Sequence, residues 1–188
     1  MNYYTLKNKA FSFIELLITM SILSLLTLFL HIKYENYKEK NNLYEAKIQI
    51  ANTLSKYRDL SYYNNCSYYI TFNFSQKYIS ISKFSNDKED IIALPSSLNY
   101  KIINKKGDTN FFITAITPNG NFSDAFSIYI FDYENIAQYR LGFYTFSQIK
   151  YLLINIYHNQ SVIDATLENI SNYHDSSNGK NHIGWIKE

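Results

Sequence analysis

The chain has 188 residues and a mass of 22.2 kDa, enough for one domain of ordinary size plus an appendage and too little for two generous domains. Its 18 basic and 16 acidic side chains are interspersed and leave a net charge of +2, which argues against the basic stripe that a nucleic-acid-binding surface needs to neutralise phosphates. Cys66 is the single cysteine, which excludes an intramolecular disulfide and a zinc site built from paired cysteines. The 19 Tyr and 13 Phe accompany abundant Asn, Ile and Lys, as an AT-rich coding sequence favours, so the aromatic excess is not by itself evidence for stacking on sugars or bases.

In chain order, residues 1–10 are polar and carry Lys7 and Lys9 without an acid. Residues 11–32 are almost wholly apolar and would form a helix of ~33 Å, enough to cross a bilayer. Their only formal charge is Glu15. The run is longer than the apolar region of a secretory signal peptide and lacks a small-x-small end, so it reads as retained. Over residues 33–63, Leu43, Ala46, Ile50, Leu54 and Tyr57 recur at three and four residues, with Lys47, Gln49, Lys56 and Arg58 on the intervening faces. No Gly or Pro interrupts Phe11 to Tyr63, and the economical reading is one long helix, apolar all round at first and then apolar on one stripe.

Residues 64–168 change to short β-rich runs: Tyr68 to Asn73, Lys77 to Lys83, Leu98 to Asn104, Asn110 to Ile116, Ala125 to Asp132, Arg140 to Phe146 and Tyr151 to Tyr157. Turn residues separate them, at Phe74 to Lys77, at Lys105 to Asp108 and most strongly at Pro118-Asn119-Gly120-Asn121, where Asn and Gly tolerate positive φ. Close spacing without intervening helices predicts mostly antiparallel pairing. Residues 169–188 form a polar tail, an edge strand or a partly loose segment, with Ile183, Trp185 and Ile186 as its apolar anchors.

The informative motif is Lys9-Ala10-Phe11-Ser12-Phe13-Ile14-Glu15-Leu16-Leu17. An ionised acid in an apolar helix costs about 2.5–3.5 kcal/mol on insertion scales, so Glu15 needs an offset. The helix N-terminal dipole supplies one. The motif resembles the leader of type IV prepilins and type II secretion pseudopilins: a short basic leader, a small residue, an aromatic residue after the cut, and Glu at the fifth mature position. Ala10 departs from the Gly most often found there. The resemblance implies cleavage between Ala10 and Phe11 by a membrane-embedded prepilin peptidase, methylation of Phe11, and pairing of Glu15 with the N-terminal amine of a neighbouring subunit. A weaker resemblance, to the general secretion protein H and FimT-like pseudopilins, rests on the order of Leu54 to Arg58, Tyr68 to Phe72, Tyr78 to Ile81, Leu94-Pro95, Ile116 to Gly120 and Phe126 to Ile130.

No catalytic constellation is visible. His31, His158, His174 and His182 form no i, i+4 pair with an intervening acid, and there is no Gly-rich phosphate cradle or Gly-x-Ser-x-Gly elbow. The cluster Asp87-Lys88-Glu89-Asp90 contains a lysine and lacks a following Gly, and reads as a solvated loop rather than a calcium site. No cofactor and no metal are expected, and Cys66 reads as a buried or incidental thiol.

The expected architecture is therefore α+β and pilin-like, a long N-terminal helix whose second half packs across an antiparallel sheet of about five to eight strands. The expected role is structural. The resemblance implies a minor subunit of a type II secretion pseudopilus or type IV pilus, with other pilin or pseudopilin subunits, a prepilin peptidase, an inner-membrane assembly platform and membrane lipid as partners. It also implies a single pass in the bacterial cytoplasmic membrane, leader in the cytoplasm. The positive-inside rule does not settle that orientation, because Lys33, Lys38 and Lys40 flank the far side. The alternative is a single-pass protein whose extracytoplasmic domain binds a ligand or senses a signal.

Overall fold

A computed structural model describes residues 12–83, 90–145, 154–174 and 184–188. Helix α1 runs from Phe13 to Asn64 as one element of 52 residues, as the absence of Gly and Pro predicts. It stops at Asn65, whose φ of 47° leaves the helical region. The Asn65 amide then donates to the Tyr62 carbonyl at 3.3 Å and the Cys66 amide to the Ser61 carbonyl at 3.2 Å, so two otherwise orphaned carbonyls are satisfied in a Schellman turn. The chain divides into two compact units, one ending at Lys38 and the other spanning Glu39–Glu188.

In the first unit the helix presents large apolar side chains outward on every face from Phe13 through Ile32, and becomes polar from Lys33. Its few hydroxyls need no outside partner. Thr19, Ser21, Ser24 and Thr27 each donate to a carbonyl three or four residues earlier, at 2.8–2.9 Å.

The second unit holds two antiparallel sheets rather than the one sheet expected. Strands β1 (Tyr68–Asn73), β2 (Tyr78–Ser82), β3 (Asp90–Ala93) and β6 (Phe111–Ile116) form one, in the order β3-β2-β1-β6. The other contains β4 (Asn99–Asn104), β5 (Gly107–Thr109), β7 (Phe126–Phe131), β8 (Ala137–Phe143), β9 (Ile154–Asn159) and β10 (Trp185–Lys187), in the order β10-β9-β8-β7-β4-β5. Short helix α2 (Ile170–His174) precedes β10.

One core lies between the sheets and the helix. Leu43, Ala46, Ile50, Leu54 and Tyr57 of α1 join Ile70, Phe72, Ile79 and Ile81 of the smaller sheet and Ile102, Ile128, Ile130, Leu141 and Phe143 of the larger one. Phe72, Phe122, Phe126 and Phe143 make tilted, edge-on and stacked ring pairs with centroids 4.7–5.5 Å apart. A second cluster covers the opposite face of the larger sheet, where Ile103, Tyr129, Phe131 and Ala137 meet Ala165 and Ile170. Strand β7 is buried along its whole length for that reason.

Several expectations change. The acid at position 90 begins strand β3 and its carboxylate is bonded by the Tyr57 hydroxyl; residues 87–89 lie outside the described residues. Lys105-Lys106 is a turn, but Gly107 and Asp108 belong to β5. Strand β8 begins at Ala137, not Arg140, because Ala137 packs under Ala165 and takes its place in the second cluster. Strand β9 extends to Asn159, and residues 151–153 of the expected run lie outside the described residues. The tail contains a further apolar anchor that the sequence reading missed, the fully buried Ile170.

Lys47 is the largest departure. It lies off the apolar stripe, on one of the intervening faces, yet is only 6% exposed, between the rings of Tyr44 and Tyr139, with its ammonium 2.7 Å from Glu188 Oε2. The helix end is also fastened: the Ser61 hydroxyl lies 2.6 Å from the carbonyls of Cys66 and Thr117, sharing its one proton between them. The Thr117–Gly120 turn closes there, and Gly120, at φ 77°, brings its Cα so near Arg58 that a Cβ would meet the Arg58 Cγ at 3.1 Å.

Candidate assembly segment

The first turn of α1 carries the chemistry. Ser12 stands at the N-cap: its Oγ accepts the Glu15 amide at 3.2 Å, and Glu15 Oε2 accepts the Ser12 amide at 2.9 Å. This is a capping box, the Ser-x-x-Glu pattern in which two orphan amides are satisfied reciprocally. The carboxylate also sits at the positive end of the helix dipole. Glu15 thus has local offsets within its own chain, before any neighbour arrives. Sequence reasoning named Glu15 and overlooked Ser12, although the spacing was there to be read.

Ala10 and Phe11, the expected junction, lie outside the described residues. The Thr19, Ser21, Ser24 and Thr27 hydroxyls are internally bonded, so apart from His31 near its far end the exterior of this segment offers side-chain hydrocarbon to lipid or to other apolar helices. Phe13–Asn64 is long and apolar enough in its first half to cross a membrane.

A cleft of 430 Å³ lies beside the β4–β5 turn, lined by Lys105, Lys106, Phe111, Phe112 and Asp124 among others. Nearby, the Lys101 ammonium bonds Asp108 at 2.8 Å and holds that carboxyl below its ordinary range. The histidines are dispersed. His158 stacks on Tyr139, His174 Nδ1 is 2.9 Å from the Tyr129 hydroxyl, His31 is exposed on α1, and His182 lies outside the described residues. Among the described residues, no three His, Cys, Asp or Glu side chains come together as metal ligands.

Residues 5–30 match the family model for the prokaryotic N-terminal methylation motif. No curated protein and no solved structure gives a significant match to the chain. The motif is that of a class III prepilin leader and supports the type IV pilin-like superfamily. The long N-terminal helix followed by antiparallel sheets fits the pilin-like fold. Motif and apolar helix together support membrane anchoring and a structural subunit rather than an enzyme.

Proposed function

We propose that this chain is a minor subunit of a type II secretion pseudopilus or a type IV pilus. A prepilin peptidase cuts between Ala10 and Phe11, and Phe11 becomes the methylated N-terminus. Anchored with its leader in the cytoplasm, the subunit then leaves lipid for a filament at an inner-membrane assembly platform, its apolar helix packing among those of other pilin-like subunits. Glu15 meets the terminal amine of a neighbour and sets the register. The finer likeness, to the general secretion protein H and FimT-like pseudopilins, rests on the order of the sequence runs alone.

The observation that carries this reading is the methylation motif running directly into a helix whose only acid within the apolar span is held at its first turn. Co-expression with a prepilin peptidase should yield a product that begins at methylated Phe11, as intact-mass spectrometry reads it. A full-length chain under conditions where a control prepilin is cut would overturn the proposal. Ala10→Gly should speed the cleavage.

A further inference from the structure

We propose that the helical turn just beyond the apolar span is a binding surface for anionic phospholipid headgroups, built from Lys33, Tyr34, Tyr37 and Lys38. The inference rests on the membrane-anchoring part of the reading above and is independent of filament assembly.

Position comes first. From Phe13 to Ile32 the helix rises ~30 Å, the thickness of the hydrocarbon layer. The turn from Lys33 to Lys38 adds ~8 Å, about the depth of one headgroup layer. The occupant of the space around these side chains is then the headgroups themselves.

Chemistry follows from the arc they occupy. At 3.6 residues per turn, Lys33, Tyr37, Tyr34 and Lys38 fall within about 140° of helix surface, while Glu35 lies outside that arc, about 160° from Lys33 and about 60° from Lys38. All four are exposed, Tyr34 at 60% and Tyr37 at 65%. Among the described residues, no carboxylate lies within 4.0 Å of the Lys33 or Lys38 ammonium, although Glu35 is two and three residues away. Helical side chains slant toward the N-terminus, and the Lys33 ammonium does so, lying 5.5 Å from the Phe29 ring centroid. The Lys33 ammonium thus leans toward the phosphate level, Lys38 follows on the same arc, and between them stand tyrosines whose rings favour the same depth and whose hydroxyls can donate to phosphate oxygens. A zwitterionic headgroup brings its own cation to compete; an anionic one does not. Phosphatidylglycerol-type lipid is the ligand class this arc fits.

The test uses the full chain in phosphatidylcholine vesicles carrying a trace of spin-labelled phosphatidylglycerol or spin-labelled phosphatidylcholine, with the motionally restricted fraction read by electron paramagnetic resonance. Phosphatidylglycerol should be preferred by about three- to fivefold at low salt. The preference should fall toward parity in Lys33→Gln/Lys38→Gln and near 1 M salt, where the screening length is ~3 Å. It should survive in Lys33→Arg/Lys38→Arg, which keeps the charge and guards against a folding artefact. Equal restriction of the two lipids by the natural chain would overturn the proposal. So would a preference that persists in the Gln variant and disappears in Lys7→Gln/Lys9→Gln, since the leader lysines would then be its source.

Discussion

The Ser12 amide donates to the Glu15 carboxylate while the Glu15 amide donates to the Ser12 hydroxyl, so the acid that an assembling subunit would offer its neighbour is already part of its own helix cap. Cap and charge are therefore two properties of one side chain, and substitution can separate them. Glu15→Gln keeps an acceptor for the Ser12 amide and removes the charge; Glu15→Leu removes both. Caps of this kind contribute about 0.5–2 kcal/mol to a helix end.

If the charge sets register between subunits, Glu15→Gln and Glu15→Leu should both insert, both be cleaved, and both lose crosslinking to other pilin-like subunits. Ser12→Ala should insert and crosslink nearly as well as the natural chain. Crosslinking that survives in Glu15→Gln and fails in Ser12→Ala would assign the effect to the cap instead.

A chain beginning at Lys33 should be a soluble, folded monomer, because the buried stripe of α1 starts at Leu43 and has its sheets to pack on. Size-exclusion chromatography and a single cooperative thermal transition would verify this. A molten product would mean that the preceding helix contributes to the core.

Lys47→Met in that fragment should be neutral or stabilising by about 1–2 kcal/mol, since a thioether fills the space between Tyr44 and Tyr139 without a charge to desolvate. Glu188→Gln should destabilise by about 1–2 kcal/mol, by leaving the ammonium without its counter-ion; the partial exposure of Glu188 keeps the loss below that of a fully buried pair. Denaturant midpoints at constant slope give both values. A Lys47→Met variant much less stable than the natural chain would show that the ion pair is net stabilising.

Alkaline pH should unfold the domain above the ordinary tyrosine range. Burial raises Tyr129 to about 12, opposed by Arg140, and burial also raises Tyr57, Tyr100 and Tyr139; for Tyr57 the bond to Asp90 adds to it. A raised folded value means that these hydroxyls contribute stability in full below the unfolded tyrosine value near 10, which is lost as pH rises toward the folded value. Absorbance near 295 nm should show the buried group ionising together with loss of β-structure. Ionisation of every tyrosine near pH 10 with the fold intact would contradict the burial seen here.

The long helix, its apolar first half, its later stripe, five of the strands within a residue or so and the acid at position 15 were all legible in the sequence. They depend on periodicity, on the missing Gly and Pro, and on local turn chemistry, which act over a few residues. The capping partner Ser12 was equally local and was there to be found. Other features depended on elements distant in the chain. Lys47 reads as a solvated charge until Tyr139 and Glu188 arrive to enclose it, and Ile170 reads as a stray apolar residue in a polar tail until it lands beside Ala165 and Phe131. The division into two sheets was not written in the alternation of any one strand. It follows from β1 pairing with β2 and β6 while β4 pairs with β5 and β7, and strand partnership is decided by which faces can be buried together, a property of the whole packed unit.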